Sequence, residues 1–222
     1  MKREIIITED GSSSLFVESI QEHFHSRFGA IQEAIHIFIE NGLLYVLPKL
    51  NGKISILEVG FGTGLNCFLT LIRPEIQSYT LEYEGIELYP LNEKEFTSLN
   101  YPELLGQEYK PLFSQMHQTI WEIPQKINDQ IILTKKCLSF TEVCFDSPQF
   151  DLVYFDPFSP DKQPEMWTQE RFEMLYKAMN PGAVLLTYCT KGIVKRALKA
   201  AGFQIEKLPG PIGKREILRA TK

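Results

Sequence analysis

The 222-residue sequence has no apolar stretch approaching the length of a membrane span, no CxxC pair and no excess of positive charge. Each absence removes a class of protein. Without a run of about twenty apolar residues there is no membrane helix to place, and no membrane partner is expected. The opening, MKREIIITEDGSSS, turns acidic within ten residues and shows no secretory signal, so a cytoplasmic protein is expected. The four scattered cysteines, Cys67, Cys137, Cys144 and Cys189, fit free thiols better than a disulfide framework or a zinc site. His23 and His25 form an HxH pair with no second pair of ligands, so no metal is expected. No repeat or low-complexity linker divides the chain.

A net charge of −5 argues against a generally basic nucleic-acid binder. Its distribution says more. From Arg171 to Lys222 eleven Lys and Arg stand against three acids, a local +8, while the preceding 170 residues carry −13. Such asymmetry suits either a phosphate-facing surface at one end or an ordinary solvated helix face.

Hydrophobic periodicity gives the organisation. Ile5 to Thr8 and Ser14 to Val17 read as a hairpin around Asp10-Gly11. Ala30 to Glu40 has helical spacing, with Asn41-Gly42 as its stop signal. From Ile54 the pattern alternates. Strands are expected at Ile54–Val59, Tyr79–Ile86, Gln130–Thr134, Asp151–Phe155 and Ala183–Tyr188. Helices are expected at Gly64–Ile72, Leu91–Leu99, Thr168–Met179 and Lys191–Ala201. Phe203–Lys207 and Glu216–Ala220 read as a closing antiparallel pair. This is the pattern of an α/β fold with a mostly parallel, seven-stranded sheet covered on both faces. Residues 1–50 form a hairpin-plus-helix appendage, and 51–222 the main domain.

Two stretches stand out against that frame. LEVGFGTGLN, Leu57 to Asn66, follows the first core strand and opens a helix. Gly60, Gly62 and Gly64 permit a tight turn and a close ligand approach, with free N–H groups at the helix start. A dinucleotide fingerprint needs glycine at position 65, which is Leu65. The GxGxG spacing belongs with class I S-adenosylmethionine enzymes, and Glu58 suits a cationic methionine better than a pyrophosphate. Glu87, ending the next strand, can accept both ribose hydroxyls, which a nicotinamide enzyme also requires. A nicotinamide site and a degenerate site therefore stay open, although no Tyr-Lys hydride relay is evident. The second stretch is YFDPFSPD, Tyr154 to Asp161. It ends a buried strand on Asp156, at the sheet edge where such folds bind ligands. An ordinary strand end with turn residues is the plainer reading.

Together with Pro164-Glu165-Met166-Trp167 and Lys214-Arg215-Glu216, these stretches resemble the MnmC-type tRNA methyltransferase family. The resemblance spans essentially the whole chain. It implies the Rossmann-like class I S-adenosylmethionine-dependent methyltransferase fold, and methylation of 5-aminomethyl-2-thiouridine at the tRNA wobble position to 5-methylaminomethyl-2-thiouridine. Longer members carry an FAD-dependent oxidase for which this chain is too short, so the stand-alone form, MnmD, is implied and no flavin is expected. The resemblance puts Glu58, Gly60, Phe61, Gly62, Thr63, Gly64, Asn66, Glu87 and Asp156 at the cofactor. It puts Asp156 at the amine, and Ser12, His25, Ser26 and Glu33 near the mouth of the site. Capping or turn formation is the simpler role for Ser12. Lys191, Lys195, Lys214 and Arg215, with Arg196 and Lys199, are candidates for phosphate contacts.

Lys135-Lys136-Cys137 departs from the family, whose members often carry Gly-Asp there to hold the adenine amino group. The adenine contact is left without a residue. Phe158 fits a platform for the uracil ring or a packed wall equally well. An alkylammonium has a pKa near 10 and a carboxylate one near 4, so Asp156 is an orienting group first and a base second. A small-amine methyltransferase and a non-catalytic RNA-binding module are the alternatives. The sequence specifies no protein partner.

Overall fold

The computed structural model describes residues 2–222. Strands β1 (Arg3–Ile7), β2 (Ser13–Val17) and β3 (Glu22–His23) form a small antiparallel sheet, with Ile5 opposite Leu15. Gly11 takes φ +83°, the left-handed conformation that its turn requires. Helix α1 (Ala30–Ala34) starts under the same turn, because Ser12 Oγ accepts the Ala30 and Ile31 N–H groups and Asp10 Oδ2 accepts that of Gln32.

The helical path does not stop at Asn41-Gly42. It widens into a π-helical stretch (Ile35–Leu43), continues as α2 (Leu44–Val46) and ends in a 3-10 turn (Leu47–Lys49). Gly42 explains the misreading. A Cβ there would lie 3.2 Å from Leu186 Cδ2, so the glycine lets the helix approach the sheet rather than break.

The main sheet is built from β4 (Lys53–Val59), β5 (Thr80–Ile86), β6 (Gln125–Lys126), β7 (Ile131–Lys136), β8 (Phe150–Phe155), β9 (Met179–Thr187), β10 (Gln204–Pro209) and β11 (Glu216–Thr221). The spatial order is β10-β11-β9-β8-β4-β5-β7-β6. The five strands from β9 to β7 run parallel; β11 is antiparallel to both neighbours, and β6 is antiparallel to β7. The sheet therefore has eight strands among the described residues, not seven. The addition, Gln125–Lys126, is too short to carry a readable period.

Among the described residues, six further α-helices pack around the sheet: α3 (Leu65–Leu71), α4 (Glu93–Thr97), α5 (Tyr101–Leu105), α6 (Lys110–Gln118), α7 (Gln169–Ala178) and α8 (Gly192–Ala200). One sheet face buries Leu152 and Tyr154 against α3 and the helical segment 30–47. The other buries Val153 and Phe155 with residues of α7 and α8. Alternate residues of β8 thus serve opposite cores, as the two-residue strand period dictates. Phe155 lies 4.9 Å from Trp167 and 5.2 Å from Phe172 between ring centroids, and truncating such a side chain to Ala costs roughly 3–5 kcal/mol.

Candidate active site

The chain leaves β4 toward β5 on one side, while β8 pairs on the other, so a crevice opens beyond the ends of β4 and β8. YFDPFSPD closes one wall of it. The Asp156 N–H donates to the Val59 carbonyl at 2.9 Å, which sets the carboxylate directly beside the glycine loop. Gly60 has φ +90°, and a Cβ on it would lie 2.7 Å from the Asp156 carbonyl oxygen. The two loops are pressed backbone to backbone. The prolines belong to a held loop: Tyr188 Oη donates to the Pro157 carbonyl at 2.8 Å. Trp167 Nε1 donates to the Phe158 carbonyl at 2.9 Å, and the Phe158 N–H donates to Gln163 Oε1 at 2.9 Å.

The glycine loop is tied from the other side. Gly60 and Phe61 both donate N–H to the Ile86 carbonyl at 3.0 Å. Glu87 Oε2 accepts the Gly62 N–H at 2.9 Å and its Oε1 accepts the Tyr89 N–H at 2.8 Å. A carboxylate has about four lone-pair positions, so Glu87 keeps acceptor capacity for a diol.

Between these walls lies a cavity of about 510 Å³, the size of an ordinary small-molecule site. Among the residues expected at the site, Gly60, Phe61, Gly62, Thr63, Asn66, Glu87, Asp156, Phe158, His25, Ser26, Glu33 and Lys214 line it. The others lie elsewhere. Glu58 is fully buried beneath the loop, with Tyr83 Oη donating to its Oε2 at 2.7 Å. Gly64, at φ +71°, opens α3 against Met116. Ser12 is buried in the α1 cap and does not reach the cavity, a correction to its expected place at the mouth. Lys191 is ion-paired with Asp161, and Lys195 and Arg215 also lie off the cavity wall.

Acids and cations share the wall of this cavity. Burial pushes the Asp156 carboxyl well above the ordinary aspartate value and the Glu33 charge adds to this, while the Asn66 hydrogen bond and Lys214 act in the opposite direction. Glu33 Oε1 meets Lys214 Nζ at 3.0 Å, and its Oε2 accepts the Ser26 N–H at 2.7 Å. Burial pulls the His25 imidazole down to about 4, so it is neutral at neutral pH. The His25 ring bonds Ser14 Oγ at 2.9 Å and lies 3.5 Å from Thr63 Oγ1. Two acids beside a glycine loop, Asp156 and Glu87, with Lys214 already engaged by Glu33, fit the sulfonium and ammonium groups of S-adenosylmethionine. Among the described residues no group of three or more His, Cys, Asp or Glu gathers to hold a metal.

Several lining residues escaped the sequence reading. Phe24, from the appendage, packs edge-on against Phe158 with centroids 5.2 Å apart. Arg27 and Lys162 are cations on the cavity wall. Leu88, Leu138, Ser139 and Phe140 also line the cavity. Lys135, Lys136 and Cys137, which stand where members of the family often carry the adenine-holding acid, do not line it. Lys135 turns inward to the His117 carbonyl at 2.6 Å, Lys136 pairs with Glu84, and the Cys137 N–H donates to Glu122 Oε1 at 2.6 Å. Only Leu88 had a signal, as the residue following Glu87.

Known proteins are similar to this chain in sequence and fold. Residues 108–222 match the sequence pattern of the S-adenosyl-L-methionine-dependent methyltransferase family. The chain is 31% identical over 219 residues to the tRNA 5-methylaminomethyl-2-thiouridine biosynthesis bifunctional protein MnmC of Nitrosospira multiformis, covering 94% of this chain and 35% of that protein. It is 35% identical over 189 residues to the protein of the same name from Campylobacter fetus subsp. fetus, covering 79% and 30%. The chain thus spans about a third of the length of these curated relatives. In structure it resembles MNMC2 from Aquifex aeolicus, with a TM-score of 0.79 and 25% identity, over 99% of this chain and 69% of that one.

Proposed function

Because the chain belongs to the S-adenosyl-L-methionine-dependent methyltransferase family, we propose that it methylates the exocyclic amine of 5-aminomethyl-2-thiouridine at the wobble position of tRNA, in the cytoplasm. The observation that carries this reading is the placement of Asp156 and Phe158 on one wall of a cavity floored by the glycine loop. The names of the MnmC relatives support the substrate.

S-adenosylmethionine, when bound, supplies a methyl group on a cationic sulfur. Gly60, Phe61, Gly62 and Thr63 would hold it through the loop backbone, with Glu87 at the ribose. Residues 1–50 act as an appendage that brings Phe24, His25, Ser26 and Glu33 to the mouth. Asp156 meets the substrate amine. In water a carboxylate is far too weak a base for an alkylammonium. The partly desolvated pocket narrows that gap, because burial penalises both members of an ammonium–carboxylate pair and favours the neutral amine and acid. A proton moving from the ammonium nitrogen to Asp156 Oδ leaves the lone pair that methylation needs, and the held loop fixes its direction. Glu33 engages Lys214, which stops that lysine from claiming Asp156 outright. Phe158, braced by Phe24, offers a face for a splayed-out base. Arg27 and Lys162 face the phosphates that flank it. The amine lone pair forms the new N–C bond as the C–S pair leaves with the sulfur, a redox-neutral step that calls for no flavin.

The test is incubation with methyl-labelled S-adenosylmethionine and tRNA lacking the modification. Label is expected in tRNA. Label in free small amines but not in tRNA would favour a small-molecule methyltransferase, and no label anywhere a non-catalytic RNA-binding module.

A further inference from the structure

The Oε1 atom of Glu87 accepts the Tyr89 N–H at 2.8 Å, so its place depends on where Tyr89 is held. Tyr89 stands between β5 and α4, in neither helix nor strand, and is 48% exposed. Packing alone does not fix such a residue. The appendage supplies the hold. Arg3, on β1, donates from Nη2 to the Tyr89 carbonyl and from Nη1 to the Pro90 carbonyl at 3.4 Å. Nη1 also meets both carboxylate oxygens of Glu95, at 3.2 and 3.0 Å. Glu95 in turn accepts the Asn92 N–H at 2.9 Å and completes the capping box that starts α4. The pair is largely withdrawn from water, with 5% of the Arg3 side chain and 19% of the Glu95 side chain exposed. A charge so buried must be paired and hydrogen-bonded, and the planar fork of a guanidinium serves several acceptors at once. Tyr89 is thus gripped at both ends, its N–H by Glu87 and its carbonyl by Arg3.

We propose that Arg3 is a positioning residue for the cofactor site: by holding the Tyr89 and Pro90 carbonyls and Glu95, it fixes the Tyr89 N–H that orients the Glu87 carboxylate. The other oxygen of that carboxylate accepts the Gly62 N–H, so the hold extends to the glycine loop. Arg3 itself lines the cavity, but every acceptor its Nη atoms reach lies between Tyr89 and Glu95. Its influence on the cofactor therefore passes through Glu87. The appendage is then more than a wall at the mouth: its first strand sets the geometry of an acid that follows β5 in the main domain.

The proposal rests on the placement of Glu87 at the cofactor, and calorimetry with S-adenosylmethionine tests the two apart. Arg3→Ala is expected to weaken binding by about three- to tenfold, the scale of one hydrogen bond. In a protein that already carries Glu87→Ala it should weaken binding no further. Losses that multiply in the double variant would mean that Arg3 meets the cofactor directly or only supports the fold, and would overturn the proposal. Parent-like binding by Glu87→Ala would remove Glu87 from the cofactor site, and the proposal with it. Arg3→Lys keeps the charge without the fork, so its affinity should fall between those of Arg3→Ala and the parent. Hydrogen exchange of the ligand-free parent needs neither cofactor nor a folded variant. Its Tyr89 amide is expected to exchange at least about tenfold more slowly than an unstructured amide, despite the exposure of that residue, and to lose most of this protection in Arg3→Ala. An unprotected Tyr89 amide in the parent, or one equally protected without Arg3, would overturn the proposal.

Discussion

Asn66 Nδ2 lies 3.1 Å from Asp156 Oδ2, so the helix that follows the glycine loop and the loop that ends β8 grip one carboxylate between them. In the proposed reading, the cofactor side and the substrate side of the cavity meet at that contact.

Asp156→Asn removes the proton acceptor and keeps the shape. Its kcat for methyl transfer is expected to fall by about 100-fold or more, the usual scale for a positioned acid–base group. Cofactor affinity, read by calorimetry, should change far less. An equal loss in both would assign Asp156 to cofactor binding alone.

Glu87 ties down Gly62 and Tyr89 through separate oxygens. Glu87→Ala is expected to weaken S-adenosylmethionine binding by at least about tenfold, about 1.4 kcal/mol, and to lower the melting temperature. Unchanged affinity would remove Glu87 from the cofactor site.

Gly60→Ala forces a Cβ to within 2.7 Å of the Asp156 carbonyl at φ +90°, whereas Gly52, at φ +70°, has nothing within 4 Å. Urea unfolding should show the first change costing about 2 kcal/mol or more and the second about 1 kcal/mol. Equal costs would mean that the loops are not in tight register.

The sequence was legible where chemistry and period coincide. The GxGxG loop, Glu87 and Asp156 each follow the end of a strand that the sequence pattern shows, and the fold brings all three to one cavity. It was illegible where tertiary contact decides. Gly42 looked like a helix stop because its partner, Leu186, is distant in the chain. Phe24 reaches Phe158 across 134 positions, and Arg27 and Lys162 meet at the cavity only through the fold. Ser12 carried a polar hydroxyl that reads equally as ligand or cap, and the cap took it.

Binding to tRNA should weaken with salt. Replacing both Arg27 and Lys162 with Ala is expected to reduce the slope of log K against log salt by about one to two. Lys191→Ala, whose lysine is already held by Asp161, should change it less. A larger effect from Lys191 would move the RNA path toward α8.

The buried groups also set a pH dependence for the ligand-free protein. The raised Glu58 carboxyl contributes stability at acid pH that is lost as pH climbs above its unfolded value near 4.3. The depressed imidazoles, His25 at about 4 and His117 at about 3, contribute stability that is lost as pH falls below about 6.5. The two trends oppose each other between about pH 4.5 and 6.5. Above about 6.5 the imidazoles no longer oppose this trend, and the raised Glu58 and Asp156 carboxyls both make stability decline as pH rises toward their folded values. Denaturant melts at spaced pH values check this, and Glu58→Gln should remove part of the decline.

The most direct measurement digests tRNA, purified with its wobble uridine at the 5-aminomethyl-2-thio stage, after reaction with the protein and S-adenosylmethionine, and weighs the nucleosides by mass spectrometry. The account predicts that 5-aminomethyl-2-thiouridine disappears as 5-methylaminomethyl-2-thiouridine grows in, and that Asp156→Asn stops the conversion. A folded, cofactor-binding protein that leaves this nucleoside unchanged would contradict it.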